Sequence, residues 1–387
     1  MVPSAWAAQD IKLGSLLDLS GNFDAYGKPM SMGLDLALDQ INKSGGIGQR
    51  KVVKVGYDTQ SDIAQYTKFA QQLVRQDKVD LVVGGILSAS REAIRPLLHR
   101  ANMPYFYTPL YEGGVCDRNA FLTGATPAQQ AEILIPAAMK AFNGKKAYVL
   151  AADYNYGQYM ARWFQKLLQA NGGSAIATEF FPLDVSDFNS TIKKIQDQKP
   201  DFLISALVGG AHLSFYRQWA AAGLKGKIPI ASTTLGVGNE HMVLTPTEGD
   251  GILLAYNYSK DLDTPASKAF VSAWKGKYGD DTEITEMAVS QYQTTMLWAA
   301  AVRKAGSTQR DAVTAALEGP LSIDAPSGKL SIDPQTHHAV IDVHLMEVRN
   351  QRLAVKQSFA QRGPVDTLAV CDLKKNPADN KQYDIKI

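Results

Sequence analysis

The sequence predicts an α/β protein of two similar lobes, each with a mainly parallel sheet covered by helices, joined by a three-segment hinge. One observation behind this prediction is a rhythm that occurs twice: strand, glycine-containing turn, helix, glycine pair, strand. The two copies begin at residues 11 and 147. The other observation is length, because 387 residues exceed the usual size of one domain. Two lobes built alike predict a cleft that can hold a small molecule.

The individual elements follow from the apolar pattern. Apolar residues at helical spacing, such as Leu34, Leu38 and Ile41, predict helices, and short apolar runs between helices predict parallel strands buried on both faces. The predicted strands are 11–17, 51–57, 81–83, 105–107, 147–152, 176–181, 202–207, 251–256 and 339–348. The predicted helices are two that end at 41 and 168, followed by 66–76, 188–198, 266–277, 288–305 and 308–318.

The chain is predicted to cross between the lobes three times. We expect residues 8–125 and 259–328 to form lobe 1, and residues 126–258 and 329–363 to form lobe 2. The tail, residues 364–387, is expected to return to lobe 1.

Composition argues against two classes of protein. The formal net charge is +2 and the lysines are dispersed, whereas a nucleic-acid binder normally carries a dense basic stripe. Apolar residues make up 45% of the chain, but no apolar run approaches the roughly 18 to 20 residues that span a bilayer. We therefore expect neither a nucleic-acid partner nor a direct membrane span.

The N-terminus and the cysteines both predict export. Ala5-x-Ala7 resembles the end of a secretory signal, so we expect an exported, periplasmic mature protein beginning near Ala8; a leader without meaning is the alternative. Cys116 and Cys371 are the only cysteines, and in an exported protein such a pair predicts a disulfide. Two buried free thiols are the alternative.

A set of seven segments in order resembles a known family. The segments are LSGNFDAYGKPM, ALDQINKSGGIGQRKV, YDTQSD, VVGGILSASREA, DYNYGQ, SDFNSTIKKI and KPDFLISALVGG. They resemble the periplasmic solute-binding proteins of branched-chain amino-acid type ABC transporters. PLYEGG, TGATPAQQ, IDAPSGKLSIDPQTHH and LMEV resemble its urea- and short-chain-amide-binding branch most. The resemblance implies the type I periplasmic binding fold, three hinge strands, a permease partner, no cofactor and no catalysis.

Loops at the carboxyl ends of parallel strands supply the candidate ligand-binding residues. The resemblance places the family's anchoring serine on Ser88, whose hydroxyl and nearby backbone N–H groups suit a ligand oxygen; an ordinary helix cap is the alternative. Tyr26 and Tyr156 match aromatic ligand-clamping positions of the family, with Tyr154 as a weaker candidate. The other candidates are Leu87, Tyr107, Pro109, Leu110, Tyr111, Val208, Gly209, Thr234 and Leu235.

Amino-acid binders of this family place a carboxylate close to the position of Leu235, where it pairs with the ligand ammonium. The stretch from Ser232 to Leu235 has no acidic residue. Since a buried ammonium without a counter-charge is very costly, this favours a neutral amide or an acid without an amine. Asp58 and Asp153 could supply the charge from elsewhere, although capping of a turn is the plainer role for each.

Other apparent chemical signals are weak. His337 and His338 are adjacent, so on a strand they point in opposite directions and cannot alone close a metal site. The chain has no Gly-x-Ser-x-Gly elbow and no phosphate-binding Gly-x-x-x-x-Gly-Lys loop. We therefore expect neither an enzyme nor a metalloprotein.

The predicted function is capture of a small polar solute, urea- or amide-like or a carboxylate, by hinge closure, and delivery to an ABC permease. A branched-chain or other amino-acid binder of the same type is one alternative. An amide-sensing regulator of the same fold is the other.

Overall fold

A computed structural model describes residues 9–386, so the Ala5-x-Ala7 pattern lies outside the described residues. The first half of the described chain contains β1 Ile11–Leu17, α1 Asp24–Lys43, β2 Val52–Asp58, α2 Ile63–Gln72, the π-helical turn Leu73–Asp77, β3 Leu81–Gly84, α3 Ser88–Arg100, β4 Tyr105–Tyr107, β5 Val115–Asp117, β6 Ala120–Leu122, α4 Pro127–Ala141, β7 Lys146–Ala152, α5 Asn155–Ala170 and β8 Ser174–Phe181.

The second half contains α6 Asn189–Gln198, β9 Phe202–Ala206, α7 Gly210–Ala221, β10 Ile230–Ser232, α8 Glu240–Val243, α9 Pro246–Gly249, β11 Leu253–Tyr256, α10 Pro265–Tyr278, α11 Glu286–Ala305, α12 Arg310–Glu318, β12 Ser322–Ala325, β13 Gly328–Ile332, β14 Ala339–Arg349, β15 Arg352–Arg362, α13 Val365–Leu368 and β16 Asn380–Gln382.

The strands form two large sheets. The first has five parallel strands in the order β2-β1-β3-β4-β6, and the second has nine strands. In the second sheet β8, β7, β9, β10 and β11 are parallel, and the antiparallel strands β14, β13 and β12 extend it beyond β11. Strand β15 pairs with β14 as a long hairpin. Parallel cores with helical crossovers explain why short strands such as β3 and β11 are buried along their whole length.

The repeated turn of the sequence has the same structural role in both sheets. Gly27 follows β1 in α1, and Gly157 follows β7 in α5. A Cβ on Gly27 would lie 2.0 Å from the carbonyl oxygen of Asp18, and one on Gly157 would lie 2.0 Å from that of Ala152. Glycine therefore lets each helix begin directly against the end of its own strand, which brings the first helical turn to the sheet edge.

The chain leaves the second sheet after β11, passes through α10, α11 and α12, and returns to that sheet at β12. Helix α11 packs along α1 of the first sheet, and the contact is close because a Cβ on Gly33 would lie 2.0 Å from the carbonyl oxygen of Ala288. The chain then enters β12 and β13, which join the second sheet through β14. No helix among the described residues is long and apolar enough to cross a membrane.

The C-terminal tail is fastened to the region after β4. Cys116 of β5 and Cys371 form a disulfide, with Cα atoms 5.4 Å apart, which confirms the predicted pair. Strand β16 pairs with β5 as a small antiparallel sheet. Just after β15, the carboxylate of Asp366 accepts hydrogen bonds from the Thr126 hydroxyl and from the N–H of Ala128 at the start of α4.

Candidate functional site

A small cavity lies where the carboxyl ends of the parallel strands of both sheets meet. Residues from both sheets line the cavity. The side of the first sheet and α11 contributes Phe23, Tyr26, Ile86, Leu87, Pro109, Leu110 and Met287. The side of the second sheet contributes Tyr154, Tyr156, Val208, Thr234 and Val237. The walls are apolar and aromatic, apart from three tyrosine hydroxyls and one threonine hydroxyl. Such a surface suits a flat apolar ligand body with a small number of polar groups.

Helix α3 presents free backbone donors beside Leu87. Leu87 precedes the helix without a side-chain cap, and the first intrahelical bond joins the N–H of Arg91 to the carbonyl of Leu87. The N–H groups of the first turn therefore have no acceptor within the helix. Backbone N–H groups in this position favour an anionic or carbonyl oxygen.

Ser88 is held by a buried carboxylate. Its hydroxyl donates to Glu112 Oε2 at 2.6 Å, and Arg91 Nη2 donates to Glu112 Oε1 at 2.6 Å. Gln382 of β16 also donates its side-chain amide to Glu112. Because a serine hydroxyl carries one hydrogen, Ser88 Oγ has only lone pairs left for any further partner.

Arg91 is the cation that neutralises this carboxylate. Its guanidinium is fully buried, 4.5 Å from the ring centroid of Tyr111 and 5.0 Å from that of Tyr107. Its pKa is raised well above the ordinary value; burial itself lowers the pKa, but the nearby Glu112 carboxylate outweighs it together with smaller contributions from other neighbours. The pair is thus an ionised, desolvated support beneath the loop that carries Pro109 and Leu110.

On the other side of the cavity, Tyr26 pairs with a second buried carboxylate. Its hydroxyl donates to Glu240 Oε1 at 2.9 Å and accepts from the N–H of Gly209 at 3.1 Å. Glu240 Oε2 accepts from the N–H groups of Gly236 and Gly238 at 2.9 and 3.0 Å. Burial raises the pKa of the Glu240 carboxyl above its usual value, and these hydrogen bonds oppose the shift.

The loop that holds Glu240 is shaped by glycine. A Cβ on Gly238 would lie 2.5 Å from Cε1 of Tyr26. The absence of a side chain at Gly238 therefore lets the Tyr26 ring lie against the loop, within reach of Glu240.

The structure gathers seven of the predicted ligand-binding residues around the cavity. They are Tyr26, Leu87, Pro109, Leu110, Tyr156, Val208 and Thr234. Gly209 lies beside them through its N–H bond to Tyr26.

The other four candidates are close by but do not line the cavity. Ser88 is engaged by Glu112, and the hydroxyl of Tyr107 donates to the carbonyl of Ile86 at 2.7 Å. The hydroxyl of Tyr111 contacts His338 Nε2, and the N–H of Leu235 donates to Ser232 Oγ at 3.0 Å. A direct contact of these four residues with ligand stays a prediction.

Sequence reasoning missed four apolar wall residues and Glu240. Phe23 stands in the same segment as Tyr26, and Ile86 directly precedes Leu87, so their positions could have been extended from these candidates. Val237 and Met287 carry no such signal, since Met287 reaches the cavity from α11. Glu240 was missed because an acidic residue was sought beside Leu235 and at the strand ends that carry Asp58 and Asp153, but not in the loop that follows Leu235.

The aspartates and histidines singled out in the sequence have local roles. Asp58 accepts from the N–H groups of Leu19 and Ser20, which caps the turn after β1, and Asp153 accepts from the side chain of Gln158. His338 Nδ1 lies 2.8 Å from the carbonyl oxygen of Thr336, so this nitrogen carries the proton. Within residues 9–386 no group of three His, Cys, Asp or Glu side chains is placed to hold a metal ion.

Three kinds of likeness identify the wider family. The family model described as "Periplasmic binding protein" matches residues 10–352. Leu/Ile/Val-binding protein homolog 6 of Brucella melitensis is 24% identical over 367 residues, which cover 90% of each chain.

Solved structures give the same result. A solute-binding protein of an ABC transporter from R. palustris, in complex with 4-hydroxybenzoate, is 26% identical, with a TM-score of 0.81 over 92% of this chain and 98% of that one. An amino acid ABC transporter substrate-binding protein from Pseudomonas fluorescens Pf-5 has a TM-score of 0.85 at 21% identity, covering 95% of this chain and 100% of that one.

These likenesses confirm the predicted α/β fold, whereas the finer resemblance to the urea- and amide-binding branch stays a prediction. Because the family model covers most of the sequence, this chain belongs to the periplasmic binding protein family, the solute-binding proteins of ABC transporters.

Proposed function

We propose that this protein is exported and captures a small aromatic carboxylate, or a solute of similar size and polarity, for a membrane permease. The observation that carries the proposal is the cavity between the two sheets, whose walls include Phe23, Tyr26, Tyr154 and Tyr156. Both sheets contribute walls, so a bound solute touches both lobes and stabilises their closed arrangement. Capture without turnover is the activity proposed.

The lobes of this proposal keep the boundaries expected from the sequence, 8–125 with 259–328 and 126–258 with 329–363. The third crossing then falls on the hairpin of β12 and β13, because β13 pairs with β14 of the second sheet. The tail after residue 363 acts with lobe 1, to which the disulfide and β16 attach it.

The chemistry of the walls favours an aromatic carboxylate over urea. Urea is polar around its whole edge, and burying it against Ile86, Leu110, Val237 and Met287 would leave several of its hydrogen-bonding groups unsatisfied. A benzoate ring can pack on these side chains and on the tyrosine faces, while its carboxylate meets the free N–H groups of the first turn of α3. The similar R. palustris protein, in complex with 4-hydroxybenzoate, supports this choice.

An α-amino acid is a second candidate because of Glu240. No cationic side chain among the described residues forms a salt bridge with this buried carboxylate, and it lies behind the Tyr26 hydroxyl. A ligand ammonium near Tyr26 would therefore find a counter-charge, which the sequence alone did not place there. The likeness to Leu/Ile/Val-binding protein homologs agrees with this candidate.

A thermal-shift screen tests the proposal. Purified protein is heated with 4-hydroxybenzoate, benzoate, leucine, acetamide or urea, and a tight ligand stabilises it by about 2.7 kcal/mol at a hundredfold excess over Kd. We expect the benzoates to give the largest rise in melting temperature. A rise with urea or acetamide and none with benzoates would contradict the aromatic assignment, and a rise with leucine alone would favour the amino-acid candidate.

A pair of tyrosine variants tests whether the ligand binds in this cavity. Tyr156→Ala removes a wall, whereas Tyr159→Ala changes another tyrosine of α5 that does not line it. The ligand-induced rise should disappear in the first variant and persist in the second. An unchanged rise in Tyr156→Ala would mean that the solute binds elsewhere.

A further inference from the structure

Three of the four side-chain hydroxyl groups that line the cavity already donate their hydrogens within the protein. Tyr26 donates to Glu240, Tyr156 donates to Thr233 Oγ1 at 3.1 Å, and Thr234 donates to the carbonyl of Leu207. Each hydroxyl carries one hydrogen, so these oxygens can only accept a hydrogen bond from a ligand. Among the described side chains that line the cavity, Tyr154 is the one whose O–H has no protein acceptor within hydrogen-bond distance.

Glu240 fixes this arrangement at Tyr26. The tyrosine oxygen donates to Glu240 and accepts from Gly209, which leaves one lone pair for the cavity. The Glu240 carboxylate cannot rotate away from Tyr26, because its second oxygen is held by hydrogen bonds from the N–H groups of Gly236 and Gly238. The Tyr26 hydroxyl therefore keeps Glu240 as its acceptor. In its ionised form the Glu240 carboxylate carries no hydrogen of its own, so the hydrogen between the two groups then comes from Tyr26, as the observed bond from Tyr26 to Glu240 Oε1 has it.

We infer that the Tyr26 side of the cavity selects a ligand that carries an N–H or O–H donor, and that Glu240 sets this selection through Tyr26. The inference rests on the proposed function, because it assumes that this cavity holds the solute. A ligand with a carboxylate or ether oxygen on this side faces lone pairs, and a ligand with a halogen leaves the Tyr26 oxygen without a donor. Glu240 is in this sense a positioning residue that acts on specificity.

The substitution Glu240→Gln reverses the hydrogen bonding without changing the shape. The N–H groups of Gly236 and Gly238 require an oxygen opposite them, so the introduced carbonyl oxygen takes that place and the introduced NH₂ group faces Tyr26. The tyrosine oxygen then accepts from this group, and its own hydrogen becomes free to donate into the cavity. The preference for a donor ligand should therefore be lost.

Calorimetric titration with two matched pairs of probes tests the inference. In the first pair 4-aminobenzoate carries N–H donors, whereas 4-fluorobenzoate has a similar size and none. In the second pair leucine carries an ammonium that 4-methylpentanoate lacks. In the unmodified protein, the donor-bearing member of whichever pair binds should bind about ten- to a hundredfold more tightly, as expected for one buried hydrogen bond.

In Glu240→Gln this ratio of affinities should fall to about one. Tyr26→Phe is the second variant and should also bring the ratio close to one, whereas Glu248→Gln, in an exposed cap of α9, should leave it unchanged. A ratio, unlike a melting temperature, does not change when a variant is only less stable.

The possible outcomes separate the two proposals. Binding of either pair without a donor preference would overturn this inference and leave the proposed function standing. A preference that survives unchanged in Glu240→Gln would also overturn the role of Glu240. Absence of binding by all four probes would overturn the inference together with the proposed function.

Discussion

At the scale of single residues, the buried charges around the cavity define its chemistry. Arg91 and Glu112 are both fully buried, and their charged groups lie 2.6 Å apart. Arg91 also pairs with Glu92 at 3.0 Å, whereas within the described chain Glu112 has its salt bridge with Arg91, so loss of Arg91 would leave Glu112 buried without a counter-charge. Their contribution is to hold Ser88 and the loop with Pro109 and Leu110 in place. Glu240 differs from Glu112, because within the described chain it accepts three hydrogen bonds but forms no salt bridge.

Glu112→Gln should lower the free energy of unfolding by about 1 to 3 kcal/mol, since it removes the buried carboxylate that faces Arg91 and leaves Glu92 as the remaining counter-charge of the guanidinium. Urea unfolding measures this loss. Asp24→Asn, which breaks an exposed pair with Lys28, is the control and should cost less than about 1 kcal/mol. Equal small losses in both variants would mean that water reaches Arg91.

A second residue-scale prediction concerns Glu286, at the first turn of α11. Burial raises the pKa of this carboxyl from 4.5 to about 7, although the Ser290 hydroxyl opposes the shift by donating to it. Between pH 4.5 and about 7 the unfolded chain is ionised here while the folded chain is protonated. This group therefore lowers the stability as pH rises through that window, by about 1.4 kcal/mol per pH unit, and the loss then stays constant.

Glu286→Gln removes this loss. The variant should be more stable than the unmodified protein at pH 8, by up to about 3 kcal/mol, and nearly equal to it at pH 4.5. Melting curves at the two pH values measure the difference, with Glu283→Gln at an exposed neighbouring site as control. A gain at pH 4.5 as large as that at pH 8 would show that the benefit is not electrostatic.

At the scale of elements, the repeated strand–turn–helix unit could be predicted because its strand, its turn and its helix each leave a pattern in a short stretch of sequence. A continuous apolar run marks β7 and a mostly apolar one marks β1, and glycine marks the points where α1 and α5 begin against them. The three-residue strands β5 and β16 could not be predicted in this way, since they pair with each other across most of the chain.

The residues of the candidate site likewise divide into those that the local sequence predicts and those that only long-range contacts bring to the site. Tyr26 and Tyr156 were predicted because they match aromatic ligand-clamping positions of the family that the chain resembles, and Val208 and Thr234 because they follow strands. Glu240 lies 214 residues from Tyr26, and only the folded chain shows that the two side chains are in contact. The hydrogen-bond directions that determine ligand preference likewise depend on this long-range contact.

Two glycines, both in helices, test the repeated unit. Gly157→Ala should lower the free energy of unfolding by about 1 to 3 kcal/mol, because its Cβ would meet the carbonyl oxygen of Ala152 at 2.0 Å. Gly276→Ala, at an exposed position of α10 with open space around it, should instead raise it by about 1 kcal/mol. Chemical denaturation measures both, and a stabilised Gly157→Ala would contradict the close packing of α5 on β7.

At the scale of the whole molecule, the disulfide between Cys116 and Cys371 joins the C-terminal tail to the first half of the chain. This bond spans 255 residues and ties the tail to the strand that precedes β6. The same tail brings Gln382 to Glu112, so the end of the chain supports the walls of the cavity. The position of the tail thus depends on contacts between segments that are far apart in the sequence.

Reduction of this disulfide should destabilise the protein by up to about 5 kcal/mol in the chain-entropy model, because the loop is long. The measurement is a melting curve with and without dithiothreitol, with free thiols counted to establish that reduction is complete. The double variant Cys116→Ala with Cys371→Ala should not respond to the reductant. An unchanged melting temperature in fully reduced protein would contradict a stabilising role of the disulfide.

The central claim is that a solute is held between the carboxyl ends of both sheets. A crystal structure of the protein grown with saturating 4-hydroxybenzoate tests it most directly. We predict ring density among Tyr26, Tyr156 and Met287, in contact with residues of both sheets. Density only in another cavity, such as the one beside Gln40 and Tyr292, or no density despite full saturation, would contradict the account.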